Sequence, residues 1–376
     1  MKPTPKGKAG AGFEKPKNNR KQAQIANRLR VLRLIYSRRQ YSQRLIVRET
    51  QMQASTISNI VSELISSGLV VEGEARESSR VGPKETILHI NPRAAYAVGI
   101  NFHTFAHEIC IFDGDGTLIA EEVYEKEWSN RTLGQLPRQI ESVARRAGLT
   151  MPQINGVGVS IPGIVNPDEG MVILSRALKL ENYPIRDVLQ EKLNLPVFVD
   201  RNVNFGTYYE QYMNPDEYWD NSGYLLVKLN SMPHLKSPFS LGLGINVNGE
   251  IYRGANDAAG ELDAVLIPPD LEEVGQRGGV DTVVFFSRLG HLLASAINLL
   301  DIGHLVIASD QVSMEREHFE VLESSLSQSL IPITERRFSI RFARNGLADL
   351  SKGTALWVLH ACLESALGGH ILSASK

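Results

Sequence analysis

The chain has 376 residues, 43% hydrophobic and 22% charged, the composition of a globular protein long enough for two or three domains. No apolar run approaches the ~18 residues of a membrane span, and the basic, Pro- and Gly-containing start lacks the apolar core of a secretory signal. The net charge of −2 conceals a division, because residues 1–92 hold 17 basic against 7 acidic residues and the remainder is acidic. A basic segment on an acidic body is the electrostatic footprint of nucleic-acid binding; a solvated basic tail would give the same count. Cys110 and Cys362 are the only cysteines and have no CxxC neighbour. Neither a disulfide framework nor a zinc ribbon is signalled, and a reducing, cytoplasmic setting is expected.

Residues 1–20 lack aliphatic periodicity and read as a disordered basic tail. Helical spacing begins near Gln22, with Ile25, Leu29, Leu32 and Ile35 on one face. A short second helix over Gln43–Glu49 takes Ser42 as its N-cap. A third runs from about Ala54 to Ser66, buries Ile57, Ile60, Val61, Leu64 and Ile65, and stops at Gly68. Leu69–Glu72 and Thr86–Ile90 have β character around a polar loop, Gly73–Lys84. Three helices followed by a two-stranded ribbon predict a winged helix-turn-helix over residues 21–92. From residue 93 the pattern becomes α/β. Ala95–Asn101, His107–Phe112, Leu118–Tyr124, Gly156–Ile161 and Pro196–Asp200 read as strands, and Leu133–Ala147 and Ile185–Lys192 as helices. No short-period repeat is evident.

The third helix is the expected recognition helix, presenting Ser55, Thr56, Ser58 and Asn59 to DNA. Asn59 is the best candidate for reading an adenine. The helix carries no Lys or Arg, so phosphate neutralisation falls to Arg38, Arg39, Arg44 and Arg48, and to Arg80 and Lys84 on the wing. A solvated polar helix face is the competing reading.

The segment Tyr41–Leu69, YSQRLIVRETQMQASTISNIVSELISSGL, resembles the helix-turn-helix of ROK-family repressors, which typically read ISRAELARLTGLSRPTVSRLVAELIEEGL. Ser78–Pro92 resembles their wing. One departure matters: Gln53 stands where the family has a Ser N-cap, at a cost of roughly 1 kcal/mol. The resemblance continues through Val157–Ser175, Leu195–Glu210, Leu241–Leu262, Asn298–Ser309 and Leu347–Leu359. It implies a two-lobed, actin-like (ribonuclease H-like ATPase) fold over 93–376 with ligand sites between the lobes. Lobe one would span about 93–200 plus a C-terminal helix, 353–376, and lobe two about 201–352.

Measured against the kinases of this family, the catalytic parts are missing. The first-strand DxGGT phosphate turn reads Asn101-Phe102-His103-Thr104-Phe105, whose bulky side chains are expected to fill the space. The second phosphate turn retains only Gly242 and Gly244, and the adenosine turn reads Ile307-Ala308-Ser309-Asp310. Asn202 replaces the aspartate general base, and an amide cannot accept a proton at neutral pH. Asp200, at the family's Glu position, should point elsewhere. Ala264 replaces the zinc-binding His, and no cysteine follows before Cys362, so no metal or other cofactor is implied. Glu261 survives where the family's glutamate binds sugar hydroxyls. Arg176 and Arg201 could instead favour an anionic sugar derivative, with Asn202 beside them. A surface ion pair for Arg201 and a structural hydrogen bond for Glu261 compete with those roles.

Three functions remain open: a ligand-regulated repressor of carbohydrate-related genes, a repressor whose dead effector domain only dimerises or contacts protein, and a sugar kinase with a DNA-binding extension. The first two differ in whether a polar cleft persists around Glu261, Arg201 and Asn202. Double-stranded DNA, a possible sugar or sugar-derivative effector and a second or fourth copy of the chain are the expected partners, with no membrane.

Overall fold

The computed structural model describes residues 19–37, 40–76, 85–215, 220–229, 239–262, 281–309, 314–332 and 337–368. The chain opens with three helices: α1 (Asn19–Tyr36), α2 (Gln43–Thr50) and α3 (Ala54–Ser66). Their apolar positions face inward as the periodicity predicts, with Leu32, Ile46, Ile57, Val61 and Leu64 buried. Ser42 caps α2 by accepting from the Leu45 N–H at 3.3 Å. A two-stranded antiparallel ribbon follows, β1 (Val70–Arg76) and β2 (Glu85–Ile90). β1 runs four residues further than expected into the polar stretch. A register shift between Glu72 and Ala75 absorbs Gly73 and lets pairing resume at Ala75 and Thr86.

The rest of the chain forms two lobes. Lobe one carries β3 (Tyr96–Phe102), β4 (His107–Asp113), β5 (Leu118–Tyr124), α4 (Asn130–Arg146), β6 (Gly156–Ile161), a small three-stranded flap of β7 (Ile164–Asn166), β8 (Met171–Ser175) and β9 (Leu180–Tyr183), α5 (Ile185–Leu193), β10 (Val197–Arg201) and α6 (Asn202–Met213). Lobe two carries β11 (Asn221–Leu229), β12 (Phe239–Val247), β13 (Glu250–Ile251), α7 (Thr282–Leu300), β14 (His304–Ala308), α8 (Arg316–Ser329), β15 (Ser339–Phe342) and α9 (Asp349–Ala366). α4 starts three residues before the expected Leu133, because Ser129 and Thr132 form a capping box there. The closing helix begins at Asp349, earlier than the expected 353.

The sheets are ordered β10-β6-β3-β4-β5 and β13-β12-β11-β14-β15. In both, the first strand lies between its antiparallel second strand and its parallel fourth strand, and the fifth strand continues the parallel side. The two lobes are therefore topological repeats of one another, a duplication with no counterpart in the sequence pattern. Each sheet has its own apolar core: Val98, Ile100, Val157 and Val159 in lobe one, Leu225, Phe286, Leu293 and Ile307 in lobe two. α7 is long and apolar enough to cross a membrane by length and composition, which amends the sequence reading. Its inner face, including Phe285, Phe286, Leu289, Leu293 and Ile297, is buried within lobe two.

α9 lies directly on the lobe-one sheet. A Cβ on Gly99 would meet the Ser351 carbonyl oxygen at 2.3 Å, so only glycine permits this approach. At the start of α9, Asp349 is fully buried beside Glu210 of α6, and Tyr224 lies near both. Glu210 accepts from Arg341 Nη2 at 2.8 Å and from the Arg344 N–H at 3.2 Å. Burial raises the Asp349 carboxyl to about 7 against the opposing Asn345 hydrogen bond, and Glu210 adds to the rise. A raised carboxyl favours the folded state when protonated. Its contribution is fully present below the ordinary aspartate range and is lost as pH rises through about 7. Urea midpoints are accordingly expected to fall between pH 6 and pH 8 in the parent chain, and to fall less in Asp349→Asn.

Candidate functional site

In α3 the exposed residues are Ala54, Ser55, Ser58, Asn59, Ser62, Glu63 and Ser66, and Thr56 is half-buried. The buried face holds the helix against α1, α2 and β1, so the polar face is left as a continuous surface. Gln53 adopts the extended N-cap conformation but makes no side-chain cap hydrogen bond. Gln53→Asp is expected to raise the unfolding free energy by about 1 kcal/mol, measured by urea denaturation, because it supplies the missing acceptor at the helix start.

Arg44 and Arg48 are exposed and pair with Glu85 (3.2 Å) and Glu49 (3.2 Å). Exposed pairs of this kind are close to energetic balance, so a phosphate can replace either carboxylate at little cost. Arg28 of α1 is likewise bonded to Glu63 of α3, at 2.7 Å. The expected contributions of Arg38, Arg39, Arg80 and Lys84 lie outside the described residues.

The second candidate site is the cleft between the lobes. Arg201 ends β10 and is the N-cap of α6, and its side chain is only 2% exposed. That corrects the surface ion-pair reading. Its Nε donates to the Gly163 carbonyl at 3.2 Å, its Nη1 to the Ala259 carbonyl and its Nη2 to Glu261 Oε1 at 2.5 Å. All three nitrogens are engaged, and two of the three acceptors belong to lobe two. A second arginine crosses in the opposite direction: Arg253 of lobe two donates through Nε (3.1 Å) and Nη2 (2.5 Å) to Asp200 Oδ2 of lobe one. Asp200 also accepts from the Arg201 N–H at 2.7 Å and from Asn204 Nδ2 at 2.8 Å. The bonds from Arg253 tie it across the cleft.

The cleft thus brings Arg201 and Glu261 together, with Asn202 next in the chain, and the arginine is bonded to the glutamate. Asn202 is buried, and its Oδ1 accepts from the Val203 N–H at 2.9 Å. Arg176 is exposed, and among the described residues its side chain makes no bond to this cluster. Each Arg201 nitrogen donates to a protein acceptor, and among the described residues Asp200, Asp257, Asp168 and Glu261 outnumber Arg201 and Arg253 around it, a balance that does not favour a small anion.

Of the bulky side chains expected at the first phosphate turn, the two phenylalanines point away from the cleft. Phe102 turns into the lobe-one core, edge-on to Trp128 at 4.8 Å, and Phe105 points to solvent. Strand alternation gives Asn101 and His103 the cleft side. Asn101 Nδ2 lies 2.8 Å from His103 Nε2, and Ser160 Oγ donates to Asn101 Oδ1 at 2.5 Å. His103 also meets Lys228 of lobe two at 3.3 Å and Glu108 at 3.6 Å. Burial holds the His103 imidazole below its usual pKa despite Glu108, so it is neutral at pH 7. Gly242 and Gly244 are strand residues of β12. A Cβ on Gly244 would strike Thr207 and the Val203 carbonyl of α6, so they serve close packing. Asp310 and Ala264 lie outside the described residues.

A two-lobed α/β body with an interlobe cleft, joined to an N-terminal helical module, is the class of protein these features define. Residues 97–283 match the model of the ROK family. It is 30% identical over 244 residues to the xylose repressor of Caldicellulosiruptor bescii, covering 64% of this chain and 58% of that protein. The chain thus spans under two thirds of that relative's length. Among solved structures it is similar to a ROK-family transcriptional regulator described as a homologue of the E. coli Mlc protein, with a TM-score of 0.69, 17% identity and coverage of 92% of this chain and 98% of that one. It is also similar to a ROK hexokinase from Thermus thermophilus, with a TM-score of 0.55, 20% identity and coverage of 69% and 97%. At these identities the structural likenesses concern the fold.

Proposed function

We propose that this protein is a DNA-binding transcriptional repressor of carbohydrate-related genes, with a kinase-shaped effector domain that does not catalyse. The uncovered polar face of α3 carries this reading: a helix that buries four apolar residues on one side and shows Ser55, Ser58 and Asn59 on the other fits the major groove. In this reading α1–α3 with β1 and β2 form the winged helix-turn-helix. Arg44, Arg48, Arg80 and Lys84 take phosphates, and the protein acts as an even-numbered homo-oligomer on a roughly two-fold symmetric site. The repressor name of the C. bescii relative and the regulator neighbour support it. The blocked cleft supports the non-enzyme half. Arg201 is bonded to Glu261, Asn202 offers no base, and in this reading a sugar effector that uses Glu261 displaces the Arg201–Glu261 contact.

The test is selection of duplexes from a random pool by the full-length chain. Asn59→Ala is expected to relax base preference at one position by about 1–3 kcal/mol, with affinity falling steeply with salt. A parent chain that enriches no sequence refutes the reading.

A further inference from the structure

Each lobe ends in a helix that packs against the other lobe. α6 follows the last strand of lobe one yet lies against β11 and β12 of lobe two, whereas α9 follows the last strand of lobe two yet lies on β3 and β6 of lobe one. The two helices meet backbone to backbone: a Cβ on Gly353 would sit 2.0 Å from the Phe205 carbonyl oxygen. The lobes therefore cannot rock about the cleft without shifting this crossed pair against one of them.

Both ends of the pair are tied to functional parts. At the cleft, α6 starts at Arg201, which is clamped to Ala259 and Glu261 of lobe two. Two turns along, the Tyr208 hydroxyl is hydrogen-bonded to His360 Nδ1 of α9. The other face of His360 stacks on Tyr36 of α1, with ring centroids 3.8 Å apart and planes within 6°. One turn beyond, Glu364 is buried, yet it accepts from Arg33 Nε and Nη2, both at 2.8 Å, and from the Tyr36 hydroxyl at 2.6 Å. A carboxylate taken out of water needs its cation, and here that cation belongs to the N-terminal module. One apolar core, including Leu32 and Leu64 of the module, Phe112 of β4, Tyr212 of α6 and Leu359 of α9, runs across the same junction.

The geometry points to a mechanical coupling in which the crossed helices α6 and α9 carry the state of the Arg201 clamp to the N-terminal module through the Tyr208–His360–Tyr36 contact, with Glu364 fixing the angle of α1. Its regulatory meaning rests on the DNA-binding reading above; the coupling itself does not. Release of Arg201 from Glu261 shifts α6, the Tyr208 hydroxyl moves His360, and α1 is re-aimed or loosened.

The test is amide hydrogen exchange over Val31–Tyr36 in the full chain. Glu261→Gln keeps an acceptor for Arg201 but removes the charge, and charge-assisted bonds are the stronger kind. It is expected to speed exchange in α1 at least five-fold in the parent background. In a Tyr208→Phe background, which loses only one hydroxyl, the change is expected to fall below two-fold. His360→Gln, which breaks the same contact from α9, must give the same loss. Thermal unfolding of each variant identifies any that fail to fold, and the comparison is then made with the other. Equal responses in the parent and uncoupled backgrounds, or no response in the parent, overturn the coupling. Failure of the parent to enrich any duplex overturns the DNA reading and leaves the exchange result standing.

Discussion

Replacing Arg201 by alanine is expected to lower the free energy of unfolding by about 3 kcal/mol. The substitution leaves Glu261 and the Gly163 and Ala259 carbonyls without their shared donor. The estimate sits at the low end for a broken buried pair because Glu261 keeps 28% exposure and can be partly rehydrated. Urea denaturation gives the number directly. Glu261→Gln, which removes only the charge, should cost less. Arg201→Ala together with Glu261→Ala should cost less than the sum of the two singles, because the residues share one network. An Arg201→Ala chain that unfolds at the parent midpoint would show that no such clamp forms in solution.

ATP-dependent phosphorylation of hexoses and aminosugars is expected to stay at the uncatalysed background, in the parent and in Asn202→Asp alike. General-base catalysis contributes about 10²–10⁴ in rate, so restoring a carboxylate alone would be conspicuous if the remaining parts were in place. They are not. Asn101 and His103, bonded to Ser160 and Lys228, stand where the resemblance expects a glycine-rich phosphate turn, the two β12 glycines are packed against α6, and the Arg201 guanidinium is bonded to Glu261. A coupled assay with a sugar panel reads this out. Turnover that vanishes on mutating Asp200 or Glu261 would overturn the non-enzyme reading.

The shared core between the N-terminal module and lobe one also decides how DNA binding should be probed. Deleting residues 1–92 would strip the covering from Phe112, Tyr212, Leu356 and Leu359 and leave Glu364 without Arg33. Loss of binding by such a truncation would then mix lost contacts with an exposed apolar face and an unpaired buried carboxylate. Point substitutions on the exposed face of α3 separate the two effects.

The N-terminal module was readable from its residues because its determinants are local. The 3.6-residue spacing of Ile57, Ile60, Val61 and Leu64, the Ser42 cap and the Gly68 stop each act within a few positions of chain, and the structure places all of them as read. That Asn202 stands where the resemblance expects an aspartate was legible for the same reason, since it is a change of functional group at one position. Lobe two was legible only through the resemblance, not from periodicity. Its strands β11 and β12 and helices α7 and α8 are apolar segments that periodicity alone does not sort, and the repeat of the lobe-one topology lies in strand order, which no residue pattern encodes. The fate of Arg201 was decided only in three dimensions. In the chain it stands beside Asp200 and resembles a surface cation. Folding brings it the Ala259 carbonyl and Glu261 from 58 and 60 residues away and removes it from water, where an arginine persists only with its donors satisfied.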